Sequence, residues 1–239
     1  VEHKGGGDPY VRDAPLTEKG RRQAAASASE VVNYLAAHGR HSRCCVISSP
    51  LSRAMHTALL ACPQFKGRVR LWPELREVIS GCDDIGTSTS ELGASKLARE
   101  ACGASLAEQL REFPEVWWTL PKKVEQDFMA ANGSKNEGGI VELYKNNEAA
   151  FRDADKARVG ERTSAVVTRI AELKESVVIV VSHYDLIGSL TEKIGLVEDT
   201  KTYGHGFDLP GWWLGNAEVR VAENVNFDEL LLLLSPRPK

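Results

Sequence analysis

Long apolar runs and a strong excess of one charge are both missing from this sequence. No apolar run approaches the roughly 20 residues needed to span a bilayer, and the first residues, Val1 to Lys4, carry no signal-peptide core. The 30 basic and 33 acidic residues give a formal net charge of −3, so the chain has no general attraction for nucleic acid or for an anionic membrane. We therefore expect a soluble, cytoplasmic protein without nucleic-acid or membrane partners, in which any affinity for an anion is local.

Cysteine is scarce, and its spacing does not match the common metal sites. The five cysteines lack CxxC spacing, and no pair of His or Cys residues has finger or HExxH spacing. Cys44 and Cys45 are neighbours in a predicted strand, so their side chains point to opposite faces and do not bridge each other. The sequence also has no G-x-G-x-x-G after a strand, which argues against a dinucleotide-binding protein. We expect no metal and no other cofactor.

An unbroken β-branched run from Val177 to Val181 is followed by Ser182 and His183. Such a run has no polar alternation, which predicts a central strand of a parallel sheet that is covered on both faces. His183 then lies just past the carboxyl end of this strand. Ligands of open α/β sheets bind at that edge, so a side chain that titrates near neutral pH is expected where ligands bind.

A second predicted strand, from Cys44 to Ser48, ends in the same way. Ser49 is a suitable N-cap and Pro50 a suitable first residue for a helix. Arg53 would then lie in the first turn of this helix, where free backbone N–H groups and a planar guanidinium suit phosphate oxygens. The two strand ends together predict an anion site.

The order of elements predicts an α/β protein with one domain over residues 1–239. A helix from Thr17 to His38, capped by Thr17, precedes the strand at Cys44. The strand, helix and strand between residues 44 and 72 form a βαβ unit, which needs a parallel sheet. The regular pattern then weakens over residues 74–160, which we interpret as a helical and loop insertion that forms a lid or specificity region.

Several motifs, taken in order along the chain, resemble the histidine phosphatase superfamily, and most closely its phosphoglycerate-mutase-like phosphatases (branch 1). The blocks that carry the resemblance are Asp13 to Ala24, Ser48-Ser49-Pro50-Leu51-Ser52-Arg53-Ala54, Leu75-Arg76-Glu77, Val181-Ser182-His183 and Asn216-Ala217-Glu218-Val219-Arg220. The blocks cover most of the chain in the family's order. Five ordered matches are far more specific than any one of them.

The resemblance implies a three-layer α/β/α sandwich with a mostly parallel central sheet. It also implies a metal-independent hydrolase that cleaves a small phosphate monoester through a phosphohistidine intermediate. Arg53 matches the phosphate-binding arginine, His183 matches the second histidine that contacts the phosphoryl group, and Glu77 matches the acid that protonates the leaving oxygen. His205, in a glycine-rich loop near the last block, is a possible substrate contact.

The sequence departs from the family at one point, because the nucleophile motif Arg-His-Gly does not occur in it. One interpretation aligns Val1-Glu2-His3-Lys4 with the motif, with His3 as the nucleophile, although Glu2 would repel phosphate. The other places the start of the chain just past the motif, in which case we expect this chain to be inactive and its intact parent to be a phosphatase. A catalytically inactive phospholigand-binding protein and a phosphoglycerate mutase are the alternatives.

Overall fold

Three parallel strands, in the order β2-β1-β3, form the sheet in a computed structural model that describes residues 10–37, 44–130 and 137–195. The strands are β1 (Cys44–Ser48), β2 (Arg70–Leu71) and β3 (Val177–Val181). Along β1 and β3 every residue is paired, from Cys44 opposite Val177 to Ser48 opposite Val181. The predicted βαβ unit is therefore present, with a second strand shorter than the sequence pattern indicates.

The position predicted for Val177–Val181 is wrong for the described part of the sheet. β1, not β3, is the central strand there, and Val177 to Val180 all keep part of their surface exposed. A β-branched run reports that a strand is apolar, but it does not report how many neighbours the strand has. The position of β3 therefore follows from pairing that is distant in sequence.

Helices account for most of the remaining described residues. They are α1 (Glu18–Ala26), α2 (Ala28–Ala37), α3 (Ser52–Ala61), α4 (Thr89–Ala94), α5 (Lys96–Cys102), α6 (Leu106–Gln109), α7 (Lys122–Ala130), α8 (Glu137–Lys156), α9 (Val159–Ala171) and α10 (Tyr184–Lys193). Short 3-10 turns connect several of them, including Pro73–Leu75 and Cys82–Asp84.

The two faces of β1 pack against different helices. Val46 belongs to one apolar cluster together with Met55 of α3. Cys45 and Ile47 belong to a second cluster, which includes Val166 of α9 and other residues of α9 and α10. Because consecutive strand residues point to opposite faces, helices cover the sheet on both sides. The chain is therefore an α/β protein with helix, sheet and helix layers, as predicted.

The first predicted helix begins as expected but is interrupted. The Thr17 hydroxyl accepts a hydrogen bond from the Gly20 N–H at 3.1 Å, so Thr17 is the N-cap of α1. The chain then breaks at Ser27, whose hydroxyl donates to the Gln23 carbonyl, and α2 starts afresh at Ala28. A hydroxyl that bonds its own preceding turn weakens a helix at that point. The prediction of one continuous helix is wrong, and His38 lies outside the described residues.

The segment of residues 74–160 contains more regular structure than its sequence pattern indicates. It holds α4 to α8, and α8 is kinked at Asn147. Its fully buried Phe128, Tyr144 and Phe151 share the apolar cluster of Val46. The role of this segment as a lid stays a prediction.

In the three described ranges, no helix combines the length and the apolar character that a membrane crossing requires. All five cysteines carry free thiols. Burial raises the pKa of the Cys45 thiol to about 11 and that of the Cys62 thiol to about 12, which keeps both protonated at neutral pH.

Candidate active site

The structure brings together the ends of β1 and β3. The Ser49 N–H donates to the Val181 carbonyl at 3.0 Å, which extends the pairing of the two strands beyond their last residues. Arg53 lies in the first turn of α3, and His183 is the residue that precedes α10. The positive charge of Arg53 lowers the pKa of His183. The predicted convergence of these two side chains on one edge of the sheet agrees with this geometry.

The helix that carries Arg53 begins later than predicted. Leu51, not Ser49, is the N-cap of α3, and it provides no side-chain cap. The Ser49 hydroxyl instead accepts from the Leu51 N–H at 3.2 Å. Ser49 therefore shapes the turn between β1 and α3, while Arg53 keeps its predicted place in the first helical turn.

His183 is buried and its ring is available for a ligand. It is 7% exposed, and among the described residues no group makes a hydrogen bond to its Nε2 atom. Burial, together with the charges of Arg53 and Arg162, holds the pKa of the imidazole well below its ordinary value. A neutral imidazole with a free Nε2 can accept or donate one hydrogen bond, according to its tautomer.

Arg53 is held in place by the loop that follows Glu77. Its Nη1 donates to the Asp83 carbonyl at 2.7 Å, and its Nη2 donates to Oδ1 of Asp84 at 2.5 Å. The side chain of Arg53 keeps 21% of its surface exposed. A guanidinium has five N–H donors, so these two bonds leave others for an oxyanion.

Asp84 is itself an anchored group. It is 2% exposed, and its Oδ2 accepts from the backbone N–H groups of Ser80 and Gly81 at 2.9 and 3.0 Å. The Ser80 hydroxyl donates to the same oxygen at 3.1 Å. With Arg53 on the other oxygen, the buried carboxylate has a full set of partners.

Asp13 supports the start of α3 from a distant part of the chain. Its two carboxylate oxygens accept from the backbone N–H and the hydroxyl of Ser52, both at 2.8 Å. Burial raises the pKa of Asp13, although the Ser52 bonds and the Arg53 charge oppose this rise. The sequence motif contained Asp13 without indicating this task, because only the tertiary structure brings it to Ser52.

Glu77 provides the carboxyl group of the site. Its Oε1 accepts from the Val78 N–H at 2.9 Å and from the Leu186 N–H at 3.3 Å, the latter in the first turn of α10. Burial first, and then the charges of Asp84 and Asp185, raise the pKa of Glu77 to about 8. The carboxyl group is therefore largely protonated at neutral pH and can donate a proton.

A buried ion network lies behind Glu77, and no sequence pattern indicates it. Asp155 is fully buried and pairs with Arg76 at 2.7 Å and with Arg162 at 3.1 Å. Its three members come from the loop before Glu77, from α8 and from α9. Charged residues on predicted helices are usually solvent-exposed, so only spacing against buried apolar neighbours, such as Thr163 and Val166 beside Arg162, could have singled out one of them.

The remaining predicted site residue, His205, lies outside the described residues, as does His3. Among the residues that the structure describes, no group of His, Cys, Asp and Glu side chains is arranged to hold a metal ion. The described site thus consists of Arg53, Glu77 and His183, supported by Asp13 and Asp84.

Residues 10–127 match the sequence model of the histidine phosphatase superfamily (branch 1). The matched segment contains Arg53 and Glu77, and His183 follows on the neighbouring strand. Comparison with curated proteins and with solved structures gives no match. The chain belongs to the histidine phosphatase superfamily, whose members are phosphatases and mutase-like enzymes, and the resemblance of the motifs is confirmed.

Proposed function

We propose that this chain forms the phosphoryl-binding and proton-donating part of a phosphatase that acts on a small phosphate monoester. The observation that carries this proposal is the placement of Arg53 and of the unpartnered Nε2 of His183 at one sheet edge. A transferring phosphoryl group spreads negative charge over its equatorial oxygens, which guanidinium and imidazole N–H groups stabilise. Arg53 and His183 take this role in the proposal.

Glu77 acts as the proton donor. An imidazole nucleophile, implied by the family resemblance and lying outside the described residues, forms an N–P bond as the P–O bond of the ester breaks. The leaving oxygen takes its proton from Glu77, whose raised pKa keeps the carboxyl protonated. Water then attacks phosphorus, gives a proton to the Glu77 carboxylate and breaks the N–P bond, which releases inorganic phosphate.

A second candidate is a phospholigand-binding protein without turnover. The absence of Arg-His-Gly from the sequence favours it. It requires the same oxyanion site but no nucleophile. A location in the cytoplasm, and a small phosphorylated molecule as substrate, stay predictions under either candidate.

The test shared by both candidates is calorimetric titration of the full chain with inorganic phosphate in excess chelator. We expect binding that falls by roughly 10- to 100-fold in Arg53→Met, which is the cost of a lost charged hydrogen bond. Arg22→Met is the matched control, because the side chain of Arg22 is 72% exposed on α1. Equal binding by Arg53→Met and the unchanged chain, or loss of binding on adding chelator, would contradict the proposal.

A chromogenic phosphate monoester separates the two candidates. Turnover together with an acid-labile phosphoprotein in quenched samples supports the phosphatase. Phosphate binding without turnover supports the phospholigand-binding protein.

A further inference from the structure

The buried Asp155 holds the chain on both sides of Glu77. Its Oδ1 accepts from Nη2 of Arg76 at 2.7 Å, and its Oδ2 accepts from the Ile79 N–H at 2.9 Å. The Thr119 hydroxyl donates to Oδ1 as well. A single carboxylate therefore fixes the residue before Glu77 and the residue two positions after it.

Arg162, from α9, completes this support. Its Nη1 donates to the Arg76 carbonyl at 2.7 Å, while its Nη2 donates to Oδ2 of Asp155 at 3.1 Å. The Arg76 carbonyl belongs to the peptide group that joins Arg76 to Glu77. The planar fork of Arg162 therefore spans Asp155 and the backbone that carries the acid, a contact that a lysine cannot reproduce.

The network has more positive than negative charge. Two buried guanidiniums, those of Arg76 and Arg162, share the carboxylate of Asp155, and Arg162 is 6% exposed. The Nε of Arg162 has no hydrogen-bond partner among the described residues. Burial, and then the charge of Arg76, lower the pKa of Arg162 to about 10, so it remains charged at neutral pH.

The surplus charge reaches the site itself. His183 is affected by the positive charges of Arg53 and Arg162, and the charge of Glu77 in turn acts on Arg162. The other charged groups that act on Glu77 are Asp84, Asp185 and Arg53. Arg162 is thus the one member of the network whose charge acts on both Glu77 and His183 among the interactions described.

We propose that Arg162 is a positioning residue of the site, which holds the peptide that carries Glu77 and places a buried positive charge beside His183. The proposal rests on the proposed function for its meaning, because Glu77 and His183 are the proton donor and a phosphoryl contact there. Asp155 and Arg76 act in it only through Arg162 and the backbone.

Two variants of the full chain separate the two effects, with NMR titration of the ligand-free protein as the readout. Arg162→Gln removes the charge and keeps one amide donor. We expect the His183 imidazole to titrate higher by more than about half a pH unit, because a neighbouring cation that opposes protonation is gone. Arg162→Lys keeps the charge but loses the fork. We expect His183 to titrate as before, while the Glu77 carboxyl titrates lower because the loosened segment admits water.

Arg158→Gln is the matched control, because the side chain of Arg158 is 59% exposed just before α9. Its His183 and Glu77 titrations should equal those of the unchanged chain. Unchanged titrations in both Arg162 variants would overturn the proposal, and either variant decides if the other does not fold.

If neither variant folds, amide hydrogen exchange of the unchanged chain decides. Slow exchange at Ile79, comparable with β1, supports a rigid support for Glu77, and rapid exchange overturns it. None of these measurements needs a ligand. A failure of phosphate to bind therefore rejects the proposed function and leaves the test of Arg162 standing.

Discussion

Arg53 and Asp84 are joined by a hydrogen bond of 2.5 Å between Nη2 and Oδ1, at the edge where β1 and β3 end. The cation that would bind an oxyanion is therefore already paired with a buried carboxylate. The carboxylate is fixed by backbone N–H groups of Ser80 and Gly81, so it orients the guanidinium. Its negative charge also acts on Glu77 and on Asp185, whose pKa values it raises.

Replacing Asp84 should lower the pKa of Glu77. In Asp84→Asn a negative neighbour is removed, so ionisation of the Glu77 carboxyl becomes less costly and its pKa falls below about 8. The pKa of Asp185 should fall for the same reason. Carboxyl carbon NMR titration measures both.

Asp83→Asn is the control for this substitution. Asp83 is next in sequence, yet it binds Arg53 through its backbone carbonyl, which the substitution retains. The Glu77 titration should be unchanged in this variant. A Glu77 pKa that stays near 8 in Asp84→Asn would show that burial alone sets it.

Stability should depend on pH through Glu77. Its pKa is about 8 in the folded chain and 4.5 ordinarily, so its contribution is fully present below pH 4.5 and is lost as the pH rises to about 8. Glu77→Gln cannot ionise and should escape this loss. We expect the unfolding free energy of the unchanged chain to fall relative to Glu77→Gln by on the order of 3 kcal/mol across this window.

Urea unfolding at the two ends of the window measures this difference. Glu74→Gln is the control, because Glu74 lies on the same short turn but pairs with Arg169 at a partly exposed site. Parallel pH profiles for the unchanged chain and Glu77→Gln would contradict the prediction.

The His183 imidazole should stay neutral at pH 6.5, where an ordinary imidazole is half protonated. Because its folded pKa is depressed, it contributes stability above pH 6.5, and this contribution is lost as the pH falls below that value. Arg53→Met should raise the pKa of His183, since a positive neighbour is removed. Nitrogen NMR of the ring measures this, and Arg22→Met should leave the His183 titration unchanged.

Gly86 should not tolerate a side chain. A Cβ built there lies 2.2 Å from Cζ2 of Trp117, well inside contact distance, and Trp117 is 4% exposed in the core. We expect Gly86→Ala to destabilise the chain by about 1–3 kcal/mol in denaturant unfolding.

The matched control is Gly160→Ala in α9. A Cβ at Gly160 has nothing within 4 Å, and alanine favours a helix over glycine. This change should stabilise the chain by about 0.5–1 kcal/mol. Gly86→Ala as stable as the unchanged chain would mean that the Trp117 ring moves aside at little cost.

Local patterns predicted those parts of the fold that depend on local chemistry. The apolar runs at Cys44–Ser48 and Val177–Val181 are strands, and Thr17 caps a helix, because strand and helix patterns follow from neighbouring residues. The break at Ser27 and the edge position of β3 were not predicted. Both depend on which distant residues pack against a segment, and a single run of sequence does not contain that information.

The same division holds for the candidate site. Arg53, Glu77 and His183 each follow a recognisable motif, so they could be selected before any coordinates were known. Asp84 and the Asp155 network could not, because their partners lie 31 positions away at Arg53 and 79 positions away at Arg76. Burial gives these acids their roles, and burial is a property of the packed chain.

By itself the sequence determined the family, the parallel βαβ core and the identity of the cation, the acid and the imidazole at the strand ends. Tertiary structure alone decided that Arg53 is held by Asp84 and that the pKa of Glu77 rises while that of His183 falls. The physical reason is that hydrophobic patterns and capping residues act over a few positions, whereas desolvation and charge pairing depend on distances in space.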